Sequence, residues 1–151
     1  MLDQIVVPLD GSALAECVLR HVVGLANAFH ARVTLVRVVE SGEDPTASGA
    51  VDPVAWHMLR AVSASYLTDV AGKLARWGVE AEVARLEGRA SERIIAYADE
   101  RDVDLVVLSS HGMSGLSGWN VCGVVHKVIS RVRSSVMVVP AYRQEGQAEQ
   151  E

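Results

Sequence analysis

The sequence predicts a single-domain α/β fold, a doubly wound sheet of five parallel strands of the flavodoxin or Rossmann-like kind, and three observations predict it. Short apolar runs, Ile5-Val6-Val7, Val33 to Val39, Leu105 to Leu108 and Val136 to Val139, read as strands buried on both faces, as central strands of parallel sheets are. Between them lie stretches whose apolar residues recur every three or four positions, the period of an amphipathic helix. The two kinds of stretch alternate from end to end, which calls for parallel pairing through right-handed crossovers.

Composition narrows the function classes. The 151 residues fit one domain, placed at residues 1–142, and half of them are hydrophobic, enough for a sizeable core. Residues 143–151 carry three Glu against one Arg and no apolar residue larger than Ala, which predicts a disordered acidic tail. A net charge of −5 without a Lys/Arg cluster lacks the electrostatic footprint of nucleic-acid binding. No apolar run approaches the ~18 residues of a membrane span, and the N-terminus enters a strand without a basic region and apolar core, so no membrane partner and a cytoplasmic location are expected. Cys17 and Cys122 are far apart and outside any Cys-x-x-Cys pair, which predicts reduced thiols and no metal site.

In chain order, the first strand is closed by Pro8. Asp10-Gly11-Ser12 then makes a turn, with Ser12 as N-cap of a helix whose stripe is Leu14, Val18, Val22, Leu25 and Phe29, ending near His30. The second strand, Val33 to Val39, opens into a loop-like stretch from Ser41 to Pro53. Leu59, Val62, Tyr66, Val70, Leu74 and Trp77 predict the buried stripe of a long helix stopped by Gly78 at its C′ position. Val79 to Leu86 alternates apolar with charged residues, the mark of a strand half exposed or at a sheet edge. Gly88 turns the chain into a helix over Ala90 to Arg101, buried through Ile94, Ile95 and Ala98. After Leu105 to Leu108 a helix is expected from Trp119 to Val132, and the last strand is stopped by Pro140.

The stretch from Leu105 to Val125 concentrates the chemistry. A buried strand feeds the small-residue loop Ser109-Ser110-His111-Gly112-Met113-Ser114-Gly115, and the loop feeds a helix whose first N–H groups have no partner within the helix: an anion site in outline. Gly112, Gly115, Gly118 and Gly123 are candidates for close backbone approach; an ordinary flexible turn is the competing reading. His111 has no matched carboxylate or nucleophile, and the remaining histidines have no metal-ligand spacing, so no catalytic residue is assigned. Trp56, Trp77 and Trp119 read as packing residues, with Trp56 placed to cover a cleft.

Over Leu2 to Pro140 the chain resembles the universal stress protein family. Ile5-Val6-Val7-Pro8-Leu9-Asp10-Gly11-Ser12 looks like its opening strand and loop, Ser110-His111-Gly112-Met113-Ser114-Gly115-Leu116-Ser117 like its ligand loop, and Val136-Met137-Val138-Val139-Pro140 like its closing strand. The resemblance implies strand order 3-2-1-4-5, a homodimer through Val136 to Val139 and, in one branch, ATP or AMP in the cleft between the first and fourth strands, with magnesium only where ATP is bound. It implies at most slow ATP hydrolysis. Carried onto this chain, the nucleotide contacts fall at Pro8, Asp10, the backbone of Val38, Ser109, His111, Gly112, Ser114, Gly115, Cys122, Gly123 and Val124. For Asp10 the alternatives are contact with adenosine and a turn-forming role.

The motif departs from that branch. Ser109 stands at its first glycine, Gly112 at its second, Cys122 at its third glycine and Gly123 at its hydroxyl residue. In a register shifted by one, Val124 takes the hydroxyl position; in both registers the hydroxyl is missing. Its loss weakens phosphate binding by roughly 1–3 kcal/mol. Two functions therefore stay open, a stress-response regulator holding an adenine nucleotide through a degraded glycine motif and a dimeric interaction module of the same family that holds none; a third, an enzyme of the related nucleotide α-hydrolase group, would need a metal- or base-bearing constellation that the sequence does not show.

Overall fold

The computed structural model describes residues 1–13, 15–40, 52–110 and 123–141. Five parallel strands, β1 (Gln4–Pro8), β2 (Arg32–Val39), β3 (Ala81–Glu87), β4 (Leu105–Ser109) and β5 (Ser135–Val139), lie in the order β3-β2-β1-β4-β5. Helices α1 (Leu19–Phe29) and α2 (Pro53–Arg76) cover one face, and α3 (Ala90–Glu100) and α4 (Val124–Arg131) the other. The expected fold class and strand order are both found.

Alternation along the strands builds two cores. Ile5, Val7 and Leu9 of the first strand region join Val33 and Leu35 under α1 and α2, while Val6, Val36, Val106 and Leu108 meet α3 and α4. Each of these fully buried aliphatic side chains contributes about 1.5–3 kcal/mol relative to exposure. On α3, Ile94 and Ala98 are buried as expected and Ile95 half so, with Tyr97 completing the stripe.

Three helices depart from expectation. Ser12 does cap the first helical segment, its Oγ accepting the Ala15 N–H at 3.1 Å, but Ala15–Val18 winds as a 3-10 turn before α1 begins. Leu19 and Ala26 join Val18 and Val22 in the core, whereas Phe29 is 50% exposed, and His30 closes the helix in the left-handed region.

On α2 the buried residues are Ser63, Leu67, Val70 and Leu74, while Leu59, Val62 and Trp77 are exposed. The cause is length: 24 helical residues span about 36 Å, whereas the seven of β3 span about 23 Å, so the strand underlies the helix only in part. No residue from Pro53 to Val62 is fully buried. The ends follow the rules, with Asp52 Oδ1 accepting the Val54 N–H at 3.0 Å, Pro53 at the first position and Gly78 at φ +80° beyond the last turn.

The third departure is α4, which starts at Val124 instead of near Trp119. Gly123 is its N-cap with non-helical backbone (φ −92°, ψ −130°), a conformation that a glycine, poor in helix propensity, adopts readily.

Candidate functional site

β1 and β4 are neighbours whose following helices leave to opposite faces of the sheet, the topological switch point at which open α/β sheets bind ligands. The sequence interrupts the strand pairing there by one residue. Pairing of β1 with β4 runs only through Ile5↔Leu105 and Val6↔Val106. The Leu9 N–H donates to Val36 C=O on β2 at 2.8 Å, so by strand alternation the next donor toward β4 is the nitrogen of Pro8, which carries no hydrogen. The ladder stops, and the two strands are free to part at their carboxyl ends.

The described candidate residues follow or end these strands. The last β1–β2 pair is Pro8↔Val36, so the backbone groups of Val38, on the β1 side by the same alternation, project past the end of β1. Asp10 follows β1, its Oδ1 accepting both the backbone N–H and the Oγ–H of Ser12 at 2.9 and 2.6 Å, which shows the turn-forming role. Ser109, 6% exposed, ends β4. Gly123, the N-cap of α4, has no side chain with which to cap it: the first internal bond is Lys127 N–H to Gly123 C=O at 3.1 Å, which leaves the N–H groups of Val124, Val125 and His126 without helical partners. His111, Gly112, Ser114, Gly115 and Cys122 lie outside the described residues, as do Leu14, Trp119, residues 41–51 and the tail.

A polar cluster behind the Asp10 turn is absent from the sequence reading. Arg37, on β2, donates from Nε to Ser63 Oγ at 3.3 Å and lies 5.8 Å from the centre of the Tyr66 ring. Lys73 pairs with Glu16 at 2.7 Å. Burial, and then the carboxylates of Glu16 and Asp10, push the Tyr66 phenol well above its ordinary range against the opposing pull of Arg37, so the hydroxyl stays protonated. Its oxygen is buried and makes no hydrogen bond of good geometry. The signals were present: an Arg inside the apolar run Val33 to Val39, and a Ser in step with the buried residues of α2.

Two cavities, about 60 and 170 Å³, open at the other end of the sheet, beside Gln4 and Arg32 and beside Asp102 and Arg133. Both fall short of the roughly 300 Å³ at which small-molecule sites begin. Among the described residues no three His, Cys, Asp or Glu side chains gather as for a metal, and no helix is long and apolar enough to cross a membrane.

The model of the universal stress protein family matches residues 1–140. The chain belongs to this family. A universal stress protein of Methanocaldococcus jannaschii is 27% identical over 96% of this chain and 86% of its own length, and one of Synechocystis is 31% identical over 93% and 87%. Among solved structures, the hypothetical protein MJ0577 superposes with a TM-score of 0.80 at 24% identity, covering 97% of this chain and 99% of that one. A universal stress protein from Archaeoglobus fulgidus in complex with dAMP (TM-score 0.68, 22% identity, 91% and 98% covered) and a family protein from Arabidopsis thaliana with AMP bound (TM-score 0.66, 16% identity, 97% and 97% covered) share the fold.

Proposed function

We propose that this protein is a stress-response regulator that binds an adenine nucleotide, AMP or ATP, in the crevice at the carboxyl ends of β1 and β4. The observation that carries the reading is the ending of the β1–β4 ladder at Pro8, just before Asp10 and at the end of the sheet past which the Val38 backbone projects. Family relatives hold AMP and dAMP, which supports an adenine ligand. In this reading Asp10 and the Val38 backbone take the adenosine end. The phosphates lie against the loop of Ser109, His111, Gly112, Ser114 and Gly115 and the N–H groups after Cys122 and Gly123. Magnesium enters only with ATP. The proposed activity is binding, with occupancy setting the state of a dimer; no group is assigned to turnover.

The test is native mass spectrometry of the freshly purified protein, followed by calorimetry with AMP and ATP. The expected result is a co-purifying adenine nucleotide. Absence of any nucleotide, together with no heat at millimolar AMP or ATP, overturns the reading and leaves the nucleotide-free interaction module in its place.

A further inference from the structure

A guanidinium half-buried on an inner strand is costly to dehydrate and needs a compensating role. Among the described residues Arg37 donates from Nε to a serine that is itself 1% exposed on α2 and makes a ring contact with Tyr66. Its guanidinium head also lies against the Asp10 turn. A Cβ placed on Gly11 would stand 2.9 Å from Nη1, 3.1 Å from Cζ and 3.3 Å from Nη2. Near-equal distances to three atoms of one plane mean that the face of the guanidinium rests on the Gly11 backbone. Gly11 is therefore fixed twice, by this contact and by its φ of +88°.

We infer that Arg37 is the positioning residue of the candidate nucleotide site: held by Ser63, its planar head is the wall against which the Asp10-Gly11-Ser12 turn sets, so that the Asp10 carboxylate is presented at the crevice in one orientation. The ligand-directed half of this inference rests on the nucleotide reading; the positioning half does not. Lysine is no substitute, since it brings a charge without the flat face or the Nε donor. The effect on ligand passes through Asp10, so it belongs to the adenosine end and is independent of how many phosphates follow.

The experiment uses the full chain with Arg37→Leu, Arg37→Lys, Asp10→Ala and the pair Arg37→Leu with Asp10→Ala. Amide hydrogen exchange read by NMR reports the Ser12 N–H, which donates to Asp10 Oδ1 in the protein alone. Expected is exchange about tenfold faster at Ser12 in both Arg37 variants, with the amides of β1 and β4 unchanged. Adenosine and AMP affinities should fall by the same factor, about fivefold, and Arg37→Leu should add nothing once Asp10 is Ala. A purely structural role would instead add to the Asp10→Ala loss, and a direct phosphate contact would cost AMP more than adenosine; either result overturns the inference, as does unchanged exchange at Ser12. If the unaltered protein binds neither adenosine nor AMP, the nucleotide reading fails by itself and Ser12 exchange alone decides the positioning role. Should Arg37→Leu not fold, Ser63→Ala, which removes only the tether, is expected to speed Ser12 exchange by roughly threefold.

Discussion

Position 123 shows how one glycine bears on two properties at once. As N-cap of α4 it offers the first N–H groups of the helix no side-chain acceptor of its own, and by family resemblance it stands where a phosphate-binding hydroxyl belongs. Gly123→Ser is therefore expected to raise stability by a few tenths of a kcal/mol without nucleotide, because Ser caps slightly better than Gly. Combined with Cys122→Gly it should tighten ATP by about tenfold for a regained charge-assisted bond. Thermal melts without nucleotide and calorimetry with it separate the effects; a gain in stability with no gain in affinity would mean that no phosphate sits there. Asp104 makes a second residue-scale case. Its Oδ2 accepts the N–H groups of Asp3 and Gln4 at 2.8 and 2.9 Å, and these bonds hold its carboxyl below the usual range. A depressed folded value means stability that is present above the unfolded pKa of about 3.9 and lost as pH falls through the folded value. Asp104→Asn should lower the melting temperature at pH 7, with the difference from the unaltered protein closing as melts are taken down toward pH 3.

At the scale of elements, β1 and β4 are fastened at one end and released at the other. Asp104 ties the start of β4 to the start of β1, and Pro8 withholds the bond that would have continued the ladder. The apolar runs, Pro8 as the stop of the first strand and Asp10 after it are legible in the sequence, because strand character is written in residue types; the missing rung toward β4 and the Asp104 tie are not, because they depend on which strands become neighbours. Helix phase was less legible. On α2 the residues Leu59, Val62, Tyr66, Val70, Leu74 and Trp77 keep helical steps as well as the true stripe does, and sequence spacing has no knowledge of where the underlying sheet ends. The overhang decides it, and so Leu67→Ala should cost about 2–5 kcal/mol while Val62→Ala stays within about 0.5 kcal/mol of neutral, as chemical denaturation would measure. The reverse ranking would restore the sequence-based stripe. Arg37 is not legible for a related reason: it meets Gly11 and Ser63, on β1's turn and on α2, which no local pattern brings together.

For the molecule as a whole, the two edges of the sheet are built differently. β3 carries Glu82, Arg85 and Glu87, charges that discourage further strand pairing, although Val83 is 49% exposed. β5, Ser-Val-Met-Val-Val, has no charge at all, and Val136, Met137 and Val138 are only partly covered by the chain's own core. A flat apolar edge left bare is an aggregation hazard; pairing it with its two-fold mate in a second copy removes the hazard, and the contact is self-complementary. We therefore expect a homodimer through β5, the assembly that would let nucleotide occupancy at Asp10 and α4 be felt by a partner chain across β4. Val136 and Met137 also lean on the two cores, so the substitution that tests the edge is Val138→Lys. It should leave the melting transition in place and halve the mass measured by light scattering at micromolar concentration. A strictly monomeric unaltered protein under those conditions would show that the edge is protected in some other way, and would remove the dimer from the proposed switch.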